Sequence, residues 1–79
     1  MMTDYTPVDC GLHSEYELAI MHHDRLKLGW RDAAGTIHLE TVMPVDLRTR
    51  CNEEFLVVSA PDGTQLEIRL DRISHFSQA

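Results

Sequence analysis

The stretch FLVVSAPDGTQLEIRLD, residues 55–71, contains the pattern that decides the fold class. Its first six residues form an apolar run, which is typical of a β-strand buried on both faces. The PDG that follows predicts a tight turn, because proline presets its backbone angle and glycine tolerates a positive φ. Beyond the turn, Leu66, Ile68 and Leu70 alternate with polar residues, as in a strand with one face on the core. The segment therefore predicts two strands joined by a tight turn.

The same period of two appears nearer the amino terminus. Residues 26–30, LKLGW, alternate apolar with other residues, and DAAG after them predicts a turn. Residues 36–42, TIHLETV, alternate again, with Ile37, Leu39 and Thr41 on the side predicted to face the core. These two segments are expected to be half-buried strands.

Three features complete the predicted order of elements. Pro44 is expected to end the preceding strand or to lie at a sheet edge. The polar residues 46–54, DLRTRCNEE, predict a loop, and a last short strand, RISHF, would place Ile73 inward. The whole is a mainly β chain with about five or six short strands. In so short a chain we expect the strands to curl into a small, strongly bent barrel, because closure removes exposed edges.

One amphipathic helix is predicted before the strands. It begins either at Cys10, capped by Asp9, or one turn later, where Ser14 and Glu17 form an S-x-x-E capping box. Helical spacing gives an apolar face made of Leu12, Tyr16, Ala19, Ile20 and His23. The opposite face carries His13, Ser14, Glu17 and Met21, with Glu15 on a flank.

The charge of the chain is acidic and unevenly distributed. The 79 residues, which we expect to form one domain over residues 1–79, carry a net charge of −6. Five carboxylates and no lysine or arginine precede Arg25. An acidic surface repels phosphate backbones and favours basic partners, so direct nucleic-acid binding is not expected. A solvated lead-in explains the same asymmetry equally well.

The sequence also bears on compartment and redox state. It has neither an apolar run of membrane-spanning length nor a secretion-signal pattern, so a cytoplasmic protein is expected. Cys10 and Cys51 lie far apart in sequence and are expected to be free thiols in a reducing compartment.

Patterns for metal binding or catalysis are weak. His22 and His23 are adjacent, and consecutive side chains diverge on a helix or a strand, so they seldom share a metal. Cys51 follows Arg50, which could lower its pKa, yet no histidine can be placed beside it from sequence. No catalytic motif or cofactor fingerprint is present. We therefore expect a protein without catalytic residues, metal or cofactor.

Taken in order, the motifs resemble those of the Rho-binding antiterminator family, the Rof-like proteins. The resemblance covers residues 5–77 in seven segments in family order: YTPVDC, YELA, HH, LKL, DLRTR, EFLVV and EIRLDRISHFS. It implies an Sm-like fold, with an amino-terminal helix on a small bent barrel. It also implies a protein that binds the hexameric termination factor Rho at its amino-terminal OB-fold RNA site and blocks RNA loading. Such a protein is a stoichiometric inhibitor, expected to be a monomer when free.

The resemblance also implies where Rho would be contacted, namely on the outward helix face and on the segment after DL. The corresponding residues in this chain are Asp9, His13, Ser14, Glu15, Glu17, Arg50, Cys51 and Asn52. Three of them depart from the family pattern. His13 and Ser14 stand where relatives tend to have an aromatic and an acidic residue, and Cys51 stands where a lysine can occur. Asp9 and Glu15 could replace the lost charge.

Alternatives stay open for these residues and for the function. Glu17 could serve only the capping box, and Arg50 could pair with Asp46 or Glu53 on the surface. At the level of function, the alternatives are an Sm-like RNA-binding protein and a metal- or redox-responsive module using cysteines and histidines.

Overall fold

The computed structural model describes Val8 and residues 10–79. The elements in chain order are the helix α1 (Cys10–His22), the strands β1 (Leu26–Arg31), β2 (Ile37–Arg50), β3 (Glu53–Ser59) and β4 (Gln65–Arg69), a 3-10 turn (Leu70–Arg72) and the strand β5 (Ile73–Gln78). The five strands form one antiparallel sheet in the order β4-β3-β2-β1-β5. One amino-terminal helix and five strands are thus confirmed.

The strand β2 is the centre of the sheet and has different neighbours along its length. Its first half pairs with β1 and its second half with β3, and the register shifts between Pro44 and Asp46. Pro44 is buried at this change of partner and neither ends the strand nor lies at an edge, so that prediction was wrong. A residue without a backbone N–H fits here, because the ladder is interrupted at the shift.

The loop predicted for residues 46–54 is also wrong, because most of that segment belongs to β2 and β3. Asp46 to Arg50 pair residue by residue with Val57 to Glu53. The polar side chains misled the prediction, since they extend to solvent and form ion pairs while the backbone completes the ladder.

The face of β2 that meets the core is the opposite of the one predicted. Ile37 and Leu39 are 69% and 71% exposed, whereas Val42 is buried. The pairing with β1 explains this result: Leu26 lies opposite Val42 and is fully buried, which turns the even-numbered side of β2 toward the core up to the register shift at Pro44. A shift of the pairing register by one residue moves every side chain of a strand to the other face of the sheet.

Residues 55–69 form the two strands and the tight turn that were predicted, whereas Leu70, which is buried, lies in the 3-10 turn rather than in the predicted strand. Leu56, Val57 and Val58 are all buried, as expected of a strand covered on both faces. The turn before β4 has Gly63 at a φ of +89°, and its amide donates to the Ala60 carbonyl at 2.9 Å. The Asp62 carboxylate accepts from the Thr64 amide at 2.9 Å.

A single hydrophobic core joins both halves of the sheet to the helix. It includes Leu28 of β1, Leu56 of β3, Ile68 of β4, and Tyr16 of α1. Closure of the sheet into a barrel is not confirmed, because β4 and β5 remain the two edges of the strand order. Within the described residues, no helix is both long and apolar enough to cross a membrane.

The helix begins at Cys10, the first of the two predicted starts. Ser14 and Glu17 therefore lie in its middle, and the capping-box prediction was wrong. The helix ends at His22, and the next residue, His23, has a φ of +57°, with the Asp24 amide donating to the Ala19 carbonyl at 3.0 Å. This left-handed residue leaves the apolar face, so the prediction of a half-buried His23 was wrong and its side chain is exposed.

Tyr16 fixes the helix to the core and makes the fold sensitive to alkali. It is 1% exposed, and its ring centroid lies 5.0 Å from that of Phe76. Burial, and next the charge of Glu15, raise the pKa of Tyr16 from 10.0 to about 12.

Between those two pH values the unfolded chain loses the Tyr16 proton and the folded chain keeps it, so stability falls as the pH rises. We expect the melting temperature to drop between pH 10 and about 12, and to drop less in Tyr16→Phe. Thermal melts followed by circular dichroism measure this. Parallel curves for the two proteins would contradict the assignment.

Candidate protein-docking surface

The outward face of α1 presents carboxylates to solvent. Ser14, Glu15 and Glu17 are exposed, and we call these three residues the acidic helix face. Leu18 and Met21 continue the same exposed surface toward the helix end and are 50% and 71% exposed. The predicted placement of Ser14, Glu15, Glu17 and Met21 on the outside of the helix is confirmed, and Leu18 was not predicted there. Asp9, the other predicted helix residue, lies outside the described residues.

His13 does not stand free on that face, because it connects α1 to the sheet. Its Nδ1 lies 2.8 Å from Glu17 Oε1, and its Nε2 lies 2.9 Å from Glu54 Oε2. A neutral imidazole has one donor nitrogen, so only the protonated ring can donate to both carboxylates. His13 is two-thirds covered, which makes it a link between helix and strand rather than the outward contact that was predicted.

Cys51 and Asn52 form the two-residue tip of the β2–β3 hairpin. Their φ values are +50° and +64°, and Arg50 and Glu53 pair on either side of them. Positive φ at both central residues defines a type I′ turn, which matches the twist of the flanking strands. Both residues are exposed, although the residues around them form strands rather than the predicted loop.

The turn at Cys51 allows a direct test by substitution. We expect Cys51→Val to lower the free energy of unfolding by about 1–2 kcal/mol, because a β-branched residue resists the left-handed conformation. Cys51→Gly should keep or raise it, since glycine adopts that conformation without strain. Urea unfolding of both variants measures the difference, and equal midpoints would contradict the turn assignment.

Arg50 is held by neighbouring strands. Its guanidinium donates through Nη2 to Glu67 Oε1, and its Cζ lies 4.9 Å from the centre of the Phe55 ring. Arg48 also donates to Glu67, at 3.2 Å. The surface pair suggested for Arg50 therefore exists, but with Glu67 of β4 rather than with Asp46 or Glu53.

The predicted site residues thus fall into two groups. The His13–Glu54 contact places α1 beside the end of the β2–β3 hairpin that carries the tip, because Glu54 lies two residues after Asn52. Arg50 points to the other face of that hairpin, because it pairs with Glu53, and successive residues of a strand alternate. Glu54 and Glu67 were missed by the sequence analysis, since a segment predicted as a loop gave no strand register from which to place their partners.

A cleft of about 520 Å³ is lined by Trp30 and His38, whose rings stack 5.1 Å apart, and by Phe55 and Glu67, the two contacts of Arg50. His38 Nε2 is 2.7 Å from Asp32 Oδ2, and this hydrogen bond, with backbone amides, lowers the pKa of Asp32. Arg72 donates to the Asp32 carbonyl at 3.2 Å. These contacts close the β1–β2 turn, which gives Asp32, His38 and Arg72 a structural role.

The cysteines and other potential ligands do not converge. Cys10 and Cys51 are free, exposed thiols. In the part of the chain that the structure describes, no three side chains among histidine, cysteine, aspartate and glutamate are grouped so that they could hold a metal ion.

Comparison with known proteins gives the family. No family model matches the chain. It is 38% identical over 77 residues to the protein named Protein rof of Escherichia coli K12, covering 98% of this chain and 86% of the relative. The Protein rof of Shigella flexneri gives the same values.

A solved structure of the proteasome accessory factor B/C (PafBC) of Arthrobacter aurescens shares the fold with a TM-score of 0.77 at 15% identity, over 95% of this chain and 12% of that one. The identity over almost the whole chain, with the helix and hairpin just described, shows that this protein belongs to the Rof family.

Proposed function

We propose that the protein inhibits transcription termination by binding the amino-terminal RNA site of the termination factor Rho. The observation that carries the proposal is the acidic helix face, exposed on a helix that is held firmly to the sheet. Membership of the Rof family and the resemblance to Rho-binding antiterminators supply the partner.

Electrostatics supports this mode of action. A surface that holds RNA by its backbone must be basic, and exposed carboxylates on a rigid helix can occupy it in place of phosphates. Charged contacts of this type mainly raise the association rate and select the partner, and they weaken with salt. Glu15 and Glu17 would make such contacts, with the hairpin tip, Cys51 and Asn52, adding a second point of contact beside the helix.

The remaining parts of the proposal concern the scaffold and the mode of inhibition. The five-stranded antiparallel order with a shared core is compatible with an Sm-like bent barrel. We take inhibition to be stoichiometric: one monomer occupies one Rho site in the cytoplasm, with no cofactor, metal or catalytic step. Among the described residues, Arg50 is already paired with Glu67, so its part would be to shape the hairpin.

The test combines binding and function with purified components. We expect the protein to bind Rho at low salt, to compete with a single-stranded RNA for its amino-terminal site, and to reduce release of transcripts at a Rho-dependent terminator. A tenfold rise in salt should weaken binding strongly. The proposal fails if no Rho binding is seen at low salt. Tight binding of the same RNA by the protein alone would favour the alternative of an RNA-binding protein.

A further inference from the structure

The outer face of β1, β2 and β5 differs in charge from the rest of the molecule. Opposed residues of an antiparallel pair point to the same side, so Lys27, Gly29 and Arg31 share this face with Thr41, Leu39 and Ile37, respectively. From β5, Ser77 and His75 are added opposite Lys27 and Gly29. None of these eight residues is acidic, although the chain as a whole has a net charge of −6.

This face, which we call the outer sheet face, has an apolar centre. Ile37 and Leu39 are more than two-thirds exposed there. A Cβ placed on Gly29 would meet Leu39 Cδ1 at 3.5 Å and His75 Cβ at 3.4 Å, so the glycine lets both neighbours close over β1. The result is a continuous surface across three strands rather than two scattered side chains.

Two cations flank this apolar centre. Lys27 and Arg31 are exposed at the two ends of β1, about 13 Å apart along the strand. Among the residues that the structure describes, neither has an ion pair. By contrast, Arg48, Arg50 and Arg69 are each paired with a carboxylate. The outer sheet face therefore offers two cations that no described carboxylate neutralises, beside aliphatic side chains.

The exposed surface of α1 has the complementary chemistry. Glu15 and Glu17 supply exposed carboxylates. Leu18 and Met21 supply large exposed apolar side chains on the same helix. Leu18 and Met21 lie about 5–6 Å apart on the helix, and Ile37 and Leu39 lie about 6–7 Å apart on the strand. The helix of one molecule can thus place its two apolar side chains on Ile37 and Leu39 of another molecule. Its carboxylates then lie beside Lys27 and Arg31 of that molecule.

We propose that the outer sheet face is a docking site for α1 of a second copy of this protein. The contact is head-to-tail: the helix of one copy lies on the sheet of the next, so each added copy leaves a free helix at one end and a free face at the other. The interface is small and forms between two molecules of like net charge, so the association is weak and dilution reverses it. The acidic helix face is covered within such assemblies. A helix docked in this way cannot bind another partner until the assembly dissociates.

The test uses the purified protein alone and so does not depend on the proposed binding of Rho. A face variant carries Lys27→Glu and Leu39→Ser, and a helix variant carries Glu15→Lys and Leu18→Ser. Val45→Ser is the matched control, because it removes another exposed aliphatic side chain of β2 that lies beyond the outer sheet face. Circular dichroism melts check that every variant is folded.

Sedimentation equilibrium over a wide concentration range gives the result. The mass of the wild-type protein and of Val45→Ser should rise above 9.1 kDa at high concentration, and each double variant should stay at that mass, with association at least tenfold weaker. Mixed in equal amounts, the two double variants should form a discrete dimer, since one supplies an intact helix and the other an intact face. A wild-type protein that remains monomeric at millimolar concentration overturns the proposal, as does a mixture that stays monomeric.

Discussion

Replacement of Leu28 by alanine is expected to leave the chain largely unfolded at 37 °C. Leu28 has no exposed surface and lies in the core cluster between the helix and both halves of the sheet. Loss of such a side chain costs about 2–5 kcal/mol through lost burial and the cavity left behind. A single core in a chain of this size rarely supplies more than about 3–5 kcal/mol. The substitution therefore removes most of the stability.

Leu39→Ala is the matched control, because Leu39 is a leucine of the neighbouring strand that is 71% exposed. It should change the free energy of unfolding by about 0.5 kcal/mol or less. Urea titrations followed by tryptophan fluorescence of Trp30 compare the two variants. A similar loss of stability in both would mean that the register of β1 against β2 is not the one described.

Reversal of both carboxylates of the acidic helix face should reduce affinity for Rho roughly 100-fold. Glu15→Lys with Glu17→Lys replaces two negative charges by positive ones, which a basic RNA site repels, and a loss of about 3 kcal/mol corresponds to that factor. The loss should shrink at high salt, because the interaction is screened. Titration of labelled protein with Rho measures it, and antitermination should fall in parallel.

The control for this result is Glu40→Lys, compared with Glu15→Lys alone. Glu40 is a partly exposed carboxylate of β2 beside His38, outside α1 and the hairpin tip, and its reversal changes the net charge by the same amount. We expect little change in Rho affinity for Glu40→Lys and a clear loss for Glu15→Lys. Equal losses would show that net charge, rather than the acidic helix face, governs binding. Because Glu17 contacts His13, a melting curve must accompany the double variant.

Much of the fold could be predicted from local patterns. The helix start at Cys10, the strand that contains Leu56 and the turn at Gly63 each depend on neighbours within a few residues, and all were confirmed. Which face of β2 is turned to the core was not predictable in the same way. Apolar residues occur at both odd and even positions there, so only the pairing of Val42 with Leu26 decides which side faces the core.

The candidate site was predictable to a similar degree. Exposure of Glu15 and Glu17 follows from helical periodicity alone. The engagement of His13 by Glu54 and of Arg50 by Glu67 could not be predicted, because these partners are 41 and 17 residues apart and meet only through the sheet. Without strand register, a polar segment such as residues 46–54 reads as a loop.

The change of partner within β2 also governs how the molecule comes apart. Because β1 pairs with one half of β2 and β3 with the other half, and both halves pack on one core, neither half of the sheet can unfold without exposing core side chains of the other. Slow amide exchange should therefore give one value of opening free energy for Leu28, Val42 and Leu56, equal to that of global unfolding. The edge strands β4 and β5 are then the places where local opening begins, each bonded on one side only.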